Sequence, residues 1–147
     1  MNKIISLVKR FVKSKNKSLI IKTLFLTAIV RSVILFVPFK KIKKHLGISG
    51  QESDKVSLYD PDKMIIRIKR VVNKLSKHTP WQSKCLVKAM VAQHLLFKHN
   101  FETTLYLGVG KTNKEEMAAH AWLRCGDIYV TGYEEMHNFV EVARFKK

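Results

Sequence analysis

Cysteine is scarce in this 147-residue chain, and its scarcity excludes two kinds of stabilising site. The only two cysteines are Cys85 and Cys125, and two thiols forty residues apart build neither a disulfide framework nor a zinc site. This cysteine usage indicates a reducing, cytoplasmic location. The N-terminal apolar runs are short and no small-residue cleavage site follows them, so we predict no signal peptide.

Acidic residues are absent from the first fifty positions, which hold twelve lysines and arginines. The other residues carry sixteen basic and eleven acidic side chains, so most of the formal net charge of +17 belongs to the N-terminal third. Such a surface can meet nucleic acid, anionic lipid, an acidic peptide or another protein. Because the chain lacks zinc-finger spacing, an aromatic RNA-binding signature and a helix-turn-helix pattern, we predict no nucleic-acid partner.

One long apolar segment, residues 18–39, is about as long as a membrane span. Lys22 and Arg31 interrupt it, and a basic residue near the middle of a span costs roughly 2.5–3.5 kcal/mol on insertion scales. The segment therefore predicts one or two helices that pack on the rest of the protein or lie on a membrane surface or a partner. A short basic helix ended by Gly47 should follow. We assign residues 1–50 to this basic, apolar helical region.

The remaining region, residues 51–147, changes from helical to strand periodicity near its middle. A polar stretch with glycine, proline and the first acids, residues 47–62, is predicted as a linker into it. Two amphipathic helices and three or four short strands follow. The helices are predicted within residues 61–78 and 84–99, and the strands within 101–110, 118–124, 128–132 and 138–145. This order predicts an α+β fold with helices packed on one face of a small antiparallel sheet.

Cys85 lies in the first turn of the second of these helices, with Ser83 as the predicted N-cap. A thiol there meets unpaired backbone N–H groups and the positive end of the helix dipole, which favour the reactive thiolate. The same N–H groups could hold an oxyanion. A lone helical cysteine is more commonly a small buried apolar side chain, so its position leaves both roles open.

His120 lies between alanines in the apolar, strand-like stretch "AAHAWLR". An imidazole beside a thiol can act as its general base. The 35 residues that separate Cys85 from His120 are enough for a helix, a strand and a return strand, so the two side chains can meet. A histidine in an apolar strand is more commonly a core or interface residue, and both roles stay open for it as well.

Order and context together resemble a known family. A cysteine at the start of a helix, then a strand, a polar loop and a histidine on the next strand resemble the transglutaminase-like cysteine enzymes. More specifically, "PWQSKCLVKAMVAQHLLFKHNFETTLYLGVG", "AHAWLRCGDIYVTG" and "FVEVARF" are similar to the lasso-peptide biosynthesis B2 proteins, the transglutaminase-like leader peptidases. The similarity covers residues 71–145. It implies a transglutaminase-like or papain-like core, preceded by a helical region.

The resemblance implies a bacterial cysteine endopeptidase that removes the leader from a ribosomally made lasso precursor. Cys85 would attack the scissile carbonyl, and His120 would take the thiol proton and later protonate the leaving amine. The implied partners are the precursor peptide, a small B1-type leader-recognition protein and the lasso cyclase. No cofactor and no metal are implied. The location would be cytoplasmic, with the basic N-terminal region able to contact the inner face of the membrane.

The sequence departs from this family at the third catalytic position. An acidic residue usually stands about twelve positions after the histidine, where this chain has Gly132. We include Asp127 as a candidate third catalytic residue, although an aspartate in a tight turn ordinarily serves to form the turn. A Cys–His dyad, or an imidazole held by Thr131 or by a backbone carbonyl, is equally open. Two further acids that could fold back follow the strand, Glu134 and Glu135.

Two other functions stay open on the sequence. A peptide transglutaminase or amidase would use the same cysteine chemistry but would act on glutamine side chains or pass the acyl group to an amine. A non-enzymatic module would instead dock on a membrane or a partner through residues 1–50, with Cys85 and His120 serving only structural roles.

Overall fold

A computed structural model describes residues 16–55, 62–77, 85–111 and 116–147, and its elements confirm the predicted α+β class. The helices are α1 (Lys17–Phe36), α2 (Phe39–Lys43), α3 (Lys63–Ser76) and α4 (Cys85–Phe97). The strands are β1 (Ile48–Ser49), β2 (Thr104–Lys111), β3 (Met117–Cys125), β4 (Ile128–Thr131) and β5 (Val140–Lys146), with a 3₁₀ turn at Met136–Asn138 before β5.

The strands form one antiparallel sheet in the order β1-β5-β2-β3-β4. β3 lies between β2 and β4, and its register places His120 opposite Gly108 of β2. Side chains alternate between the two faces of a strand. Ala121, Leu123 and Cys125 of β3 join the apolar core beneath α3 and α4, so His120 projects from the other face.

The helix ends follow from local sequence. α1 ends two residues before Pro38, which is the N-cap of α2, as expected because proline disfavours helix in the residue before it. Gly47 ends the basic segment with φ of +123°, and Asn100 follows α4 with φ of +61°. Asn100 has the left-handed conformation typical of a helix C-terminus, whereas Gly47 lies four residues after the end of α2. The N-cap predicted for α4, Ser83, lies outside the described residues.

Contacts cross the boundary predicted at residue 50. α1 packs against α3 and α4, and Ile48 of β1 pairs with Lys146 of β5. Ser53 is buried, with its backbone nitrogen 2.8 Å from Thr104 Oγ1. The beginning of the stretch predicted as a linker is therefore an edge strand and packed chain, which corrects that interpretation. The division into residues 1–50 and 51–147 stays a prediction.

Candidate active site

Cys85 is the first residue of α4, which packs against β3. Its side chain is partly exposed, and its sulfur lies 4.0 Å from the carbonyl oxygen of Ala119, the residue before His120. The fold thus brings two residues that are 35 positions apart in sequence to adjacent places. In this arrangement the sulfur contacts the backbone beside the histidine rather than the imidazole ring.

His120 is held between aromatic rings on the face of the sheet away from the apolar core. The imidazole stacks on Phe139 at 4.9 Å and on Trp122 at 5.9 Å between ring centroids. The residue is only 5% exposed. These contacts restrict the tilt of the ring, so its two nitrogens point in defined directions.

The carbonyl oxygen of Gly132 determines which ring nitrogen carries the proton. It lies 2.9 Å from Nε2 of His120. Since a carbonyl oxygen can only accept a hydrogen bond, Nε2 must be the protonated nitrogen, and Nδ1 of the neutral ring keeps its lone pair. Nδ1 can therefore act as a base. At position 132, where the lasso B2 proteins usually have an acid, this chain has a glycine whose backbone carbonyl orients the ring.

The conformation of Gly132 is needed to present this carbonyl. Its φ is +75°, and a Cβ atom there would lie 2.6 Å from the carbonyl oxygen of Ala121 and 2.8 Å from Cβ of Trp122. An aspartate at this position would meet the same obstruction. The departure from the family pattern is therefore built into the backbone of the loop after β4.

Replacing Gly132 by alanine should destabilise the protein more than the same change at Gly50. Both glycines have positive φ, +75° and +81°, but a Cβ at Gly50 would meet nothing within 4 Å. We expect Gly50→Ala to lower the free energy of unfolding by about 1–2 kcal/mol, from backbone strain alone. Gly132→Ala should lower it by about 1–3 kcal/mol more, from overpacking. Urea denaturation of both variants measures the difference, and equal losses would contradict the steric argument.

Glu135 places a carboxylate beside the imidazole. Its Oε2 lies 3.5 Å from Nδ1 of His120, and its side chain is 72% exposed. Asp127 lies instead in the turn between β3 and β4. Five residues of β3 separate His120 from that turn, about 16 Å along an extended strand. The turn places Asp127 away from the imidazole along the strand, and its role as the third catalytic residue stays a prediction.

Thr131, the other residue proposed to hold the imidazole, does not do so. Its hydroxyl oxygen is buried and has no hydrogen-bond partner among the described residues. A cavity of about 360 Å³ opens beside His120, between α3 and the loop after β4. Its rim carries Lys69 and Lys88 on the helices and Glu135 on the loop. A peptide entering it would meet charges of both signs next to the imidazole.

A buried polar network supports the aromatic stack from behind. Arg124 is 1% exposed, and its Nε donates to the hydroxyl of Tyr106 at 3.0 Å. Its Nη2 lies 2.9 Å from Glu52 Oε1, and Tyr106 also donates to that oxygen. The ring of Tyr106 stacks on Trp122 at 5.5 Å between centroids. The network therefore connects the segment after β1 to the ring that packs on His120.

Sequence reasoning missed this network. Its signal is the alternation of histidine, tryptophan and arginine along β3, which places all three on one face.

Burial raises the pKa of Tyr106 to about 12, with the hydrogen bond to Glu52 as a further cause. The hydrogen bond from Tyr106, together with the charge of Arg124, lowers the pKa of Glu52 despite its partial burial. Glu52 is therefore ionised and Tyr106 neutral at physiological pH.

Comparison with known families places this geometry in context. No curated protein and no solved structure matches the chain. The sequence profile of the transglutaminase-like superfamily, which includes members resembling cysteine peptidases, matches residues 28–144. The matched range begins within α1, ends within β5 and contains both Cys85 and His120. Since the match covers most of the sequence, the chain belongs to the transglutaminase-like superfamily.

Proposed function

We propose that this protein is a cysteine endopeptidase that removes the leader from a ribosomally made lasso precursor peptide. The observation that carries the proposal is the position of the Cys85 sulfur, 4.0 Å from the backbone oxygen that precedes His120. Membership of the superfamily supports cysteine chemistry. The similarity of residues 71–145 to the lasso B2 proteins supports the choice of substrate, a B1-type recognition protein as the presenting partner and a cyclase acting afterwards.

The first half of the reaction forms an acyl-enzyme. Nδ1 of His120 takes the proton of the Cys85 thiol, and the thiolate attacks the carbonyl carbon of the scissile peptide bond. The first backbone N–H groups of α4 have no acceptor within the helix and can stabilise the oxyanion. The imidazolium returns its proton to the leaving amine as the C–N bond breaks. The leader then remains on the sulfur as a thioester.

The second half releases the leader. Nδ1 takes a proton from water, the resulting hydroxide attacks the thioester carbonyl, and the imidazolium protonates the departing sulfur. Throughout both halves, Nε2 keeps its proton and donates it in a hydrogen bond to the carbonyl oxygen of Gly132, which holds the ring in one tautomer and orientation. Glu135 lies close enough to Nδ1 to stabilise the imidazolium that forms in each half.

One movement is required before the first step. The sulfur of Cys85 faces the carbonyl oxygen of Ala119, on the helix side of β3, so cleavage requires the thiol and the imidazole to come together past this backbone. The side chain of Cys85 is partly exposed and also packs against the apolar core, so its neighbours must adjust to this movement. Catalytic hydrogen bonds are often long or misaligned without substrate and shorten in the complex, so the proposal assigns this alignment to the bound state.

The contribution of Glu135 can be separated from general loop charge, because Glu134 is an adjacent exposed acid and provides a matched control. We expect Glu135→Gln to lower kcat/KM for precursor cleavage about 1.4- to fivefold, since exposed ion pairs contribute about 0.2–1 kcal/mol. Glu134→Gln should leave it unchanged. Steady-state kinetics of both variants decides the point, and equal effects would remove Glu135 from the mechanism.

Mass spectrometry of the reacted precursor tests the function itself. The precursor is incubated with the protein and its recognition partner, and peptidase activity predicts two fragments whose summed mass exceeds the precursor by one water. Transfer to an amine would instead join chains with loss of ammonia, and deamidation would leave one intact chain. Either of these results, or an unchanged precursor, would overturn the proposal.

A further inference from the structure

The helix α1 packs Leu26, Val30 and Ile34 against the core but also leaves large apolar residues on its outward face. Thr23 and Thr27 are 1% and 7% exposed, and each hydroxyl donates to the carbonyl oxygen four residues earlier. Five large apolar residues point outward, at exposures from 44% to 84%: Ile21, Phe25, Ile29, Leu35 and Phe36. A helix that packs on a core in water ordinarily has polar residues on its outward face. Packing against the core therefore does not account for the apolar residues on the outer face of α1.

These apolar residues form one continuous stripe. Ile21, Phe25 and Ile29 recur every four residues, and the stripe continues to Phe36, about 22 Å along the helix axis. Phe39 of α2 extends it at 46% exposure. Single exposed apolar side chains are ordinary on soluble proteins, but a contiguous strip of this length indicates an interaction surface.

The surroundings of the stripe carry charge of only one sign. Residues 16–50 contain no aspartate or glutamate. Lysines lie exposed at both ends of the stripe: Lys17, Lys22, Lys40, Lys41, Lys43 and Lys44. Two copies of this surface would bring these like charges together, which disfavours a homodimer through it. An anionic surface with an apolar interior complements both features.

We propose that the exposed face of α1 and α2 docks on an anionic lipid bilayer, with α1 lying in the membrane interface. Apolar side chains that enter the acyl boundary and lysines that meet the lipid headgroups together hold a surface helix at a membrane. The proposal is independent of the chemistry of Cys85. The membrane-binding surface is the outward face of α1 and α2.

An interfacial position fits the packing better than a transmembrane one. α1 has twenty residues and a mean hydropathy of 2.1 in its most apolar window, enough in length and composition to cross a membrane. Its inner face, however, packs on α3 and α4. α3 has five lysines and arginines among the fourteen residues from Lys63 to Ser76. If α1 crossed the membrane, α3 would either be drawn toward the hydrocarbon or lose its contacts with α1. Lying in the interface keeps all these contacts.

Vesicle flotation with the full chain tests the proposal. The probes are vesicles of phosphatidylcholine with and without phosphatidylglycerol. We expect strong binding only to the anionic vesicles, weakened by salt because the charges attract through solvent. Phe25→Ser combined with Ile29→Ser should lower the partition coefficient about tenfold or more, since each buried apolar side chain contributes strongly. Lys40→Gln combined with Lys41→Gln should lower it about tenfold.

Matched controls remove equivalent groups elsewhere. Val140 and Val142 of β5 are 72% and 60% exposed, so their change to serine removes exposed apolar surface away from α1. Lys74 and Lys111 are exposed lysines outside the N-terminal region, and their change to glutamine removes the same charge. Neither control pair should alter vesicle binding. All four double variants should keep the parent circular dichroism spectrum.

Three results would overturn the membrane proposal. They are equal binding to neutral and anionic vesicles, equal losses in the test and control variants, and a dimer in solution that Phe25→Ser dissociates. Cleavage of a soluble precursor should be the same in the α1 variants as in the parent protein. Failure of vesicle binding with normal cleavage would therefore reject only the docking surface, and absent cleavage with normal vesicle binding would reject only the peptidase proposal.

Discussion

Cys85→Ala should reduce cleavage of the presented precursor by about ten-thousandfold or more, with the fold intact. The thiol is the nucleophile of the proposed reaction, and no alanine atom can form the thioester. Its side chain is only partly buried, so the substitution leaves little cavity. The measurement is single-turnover cleavage followed by mass spectrometry. Cleavage at the parent rate by this variant would end the peptidase proposal.

His120 should show a loss of similar size, because members of a nucleophile–base pair act as a unit. Its ring is buried among aromatic rings, so alanine would also create a cavity there. His120→Gln is the better variant, since its side-chain amide keeps volume and can still donate to the Gly132 carbonyl. Thermal unfolding of His120→Gln separates lost chemistry from lost structure. Full activity of this variant would exclude the imidazole as the base.

Cys125 provides the control for both experiments. It is the last residue of β3, 3% exposed, and burial raises the pKa of its thiol to about 11. Cys125→Ala should therefore leave cleavage unchanged. At neutral pH, iodoacetamide should alkylate Cys85 and leave Cys125 unmodified in the folded protein, since alkylation needs an accessible thiolate. Peptide mapping identifies the labelled site, and labelling of Cys125 alone would contradict the assignment.

Arg124→Met should lower the free energy of unfolding by about 3–5 kcal/mol, the usual loss when one partner of a buried ion pair is removed. Arg124 is fully buried and joins Glu52, Tyr106 and the backbone oxygen of Ser53. Methionine fills part of the volume but leaves the Glu52 carboxylate and the Tyr106 hydroxyl without this partner. Urea denaturation, which follows global unfolding, measures the loss.

Arg144 is the matched control, since it contacts the same carboxylate from a wetter position. Its Nη1 lies 2.8 Å from Oε2 of Glu52, but its side chain is 37% exposed. Arg144→Met should cost about 1 kcal/mol or less, as for a surface ion pair. If both variants lost the same stability, burial would not be the cause of the effect.

The same network should make stability depend on pH at both extremes. Because the pKa of Glu52 is lowered on folding, its stabilisation is present above the ordinary value of 4.5 and is lost as pH falls through the folded value. Because the pKa of Tyr106 is raised to about 12 from 10.0, stability should fall as pH rises between those values. Denaturation at a series of pH values checks both limbs, and Glu52→Gln should flatten the acid limb.

Local signals in the sequence were sufficient for most elements of the fold. The three- and four-residue recurrence of apolar side chains predicted α3 and α4, and alternation predicted the strands from β2 to β5. These periods are properties of neighbouring residues, so they can be read without the partner strand or helix. The proximity of Cys85 to the strand that carries His120 was predicted from the order of elements together with the family resemblance, whereas contact between the sulfur and the imidazole stays a prediction.

Long-range pairing could not be read in the same way. The segment before Glu52 is polar and contains glycine, so it resembled a linker, although β1 pairs with the end of the chain. The acid beside the imidazole, Glu135, depends on how the loop after β4 folds back, whereas Asp127 was only nearer in sequence. A residue's distance along the chain does not determine its distance in space once strands are antiparallel.

The sequence by itself determined that residues 18–36 are helical, with a break at Pro38, and that the N-terminal third is basic, because these depend on composition and local periodicity. It could not determine which face of α1 is buried, since that helix is apolar on nearly all sides and has no strong periodic signal. Packing on α3 and α4 selected the threonine face and left Phe25 and Phe36 outside. Tertiary contacts decide such a choice because only they supply the apolar surface against which one face is covered.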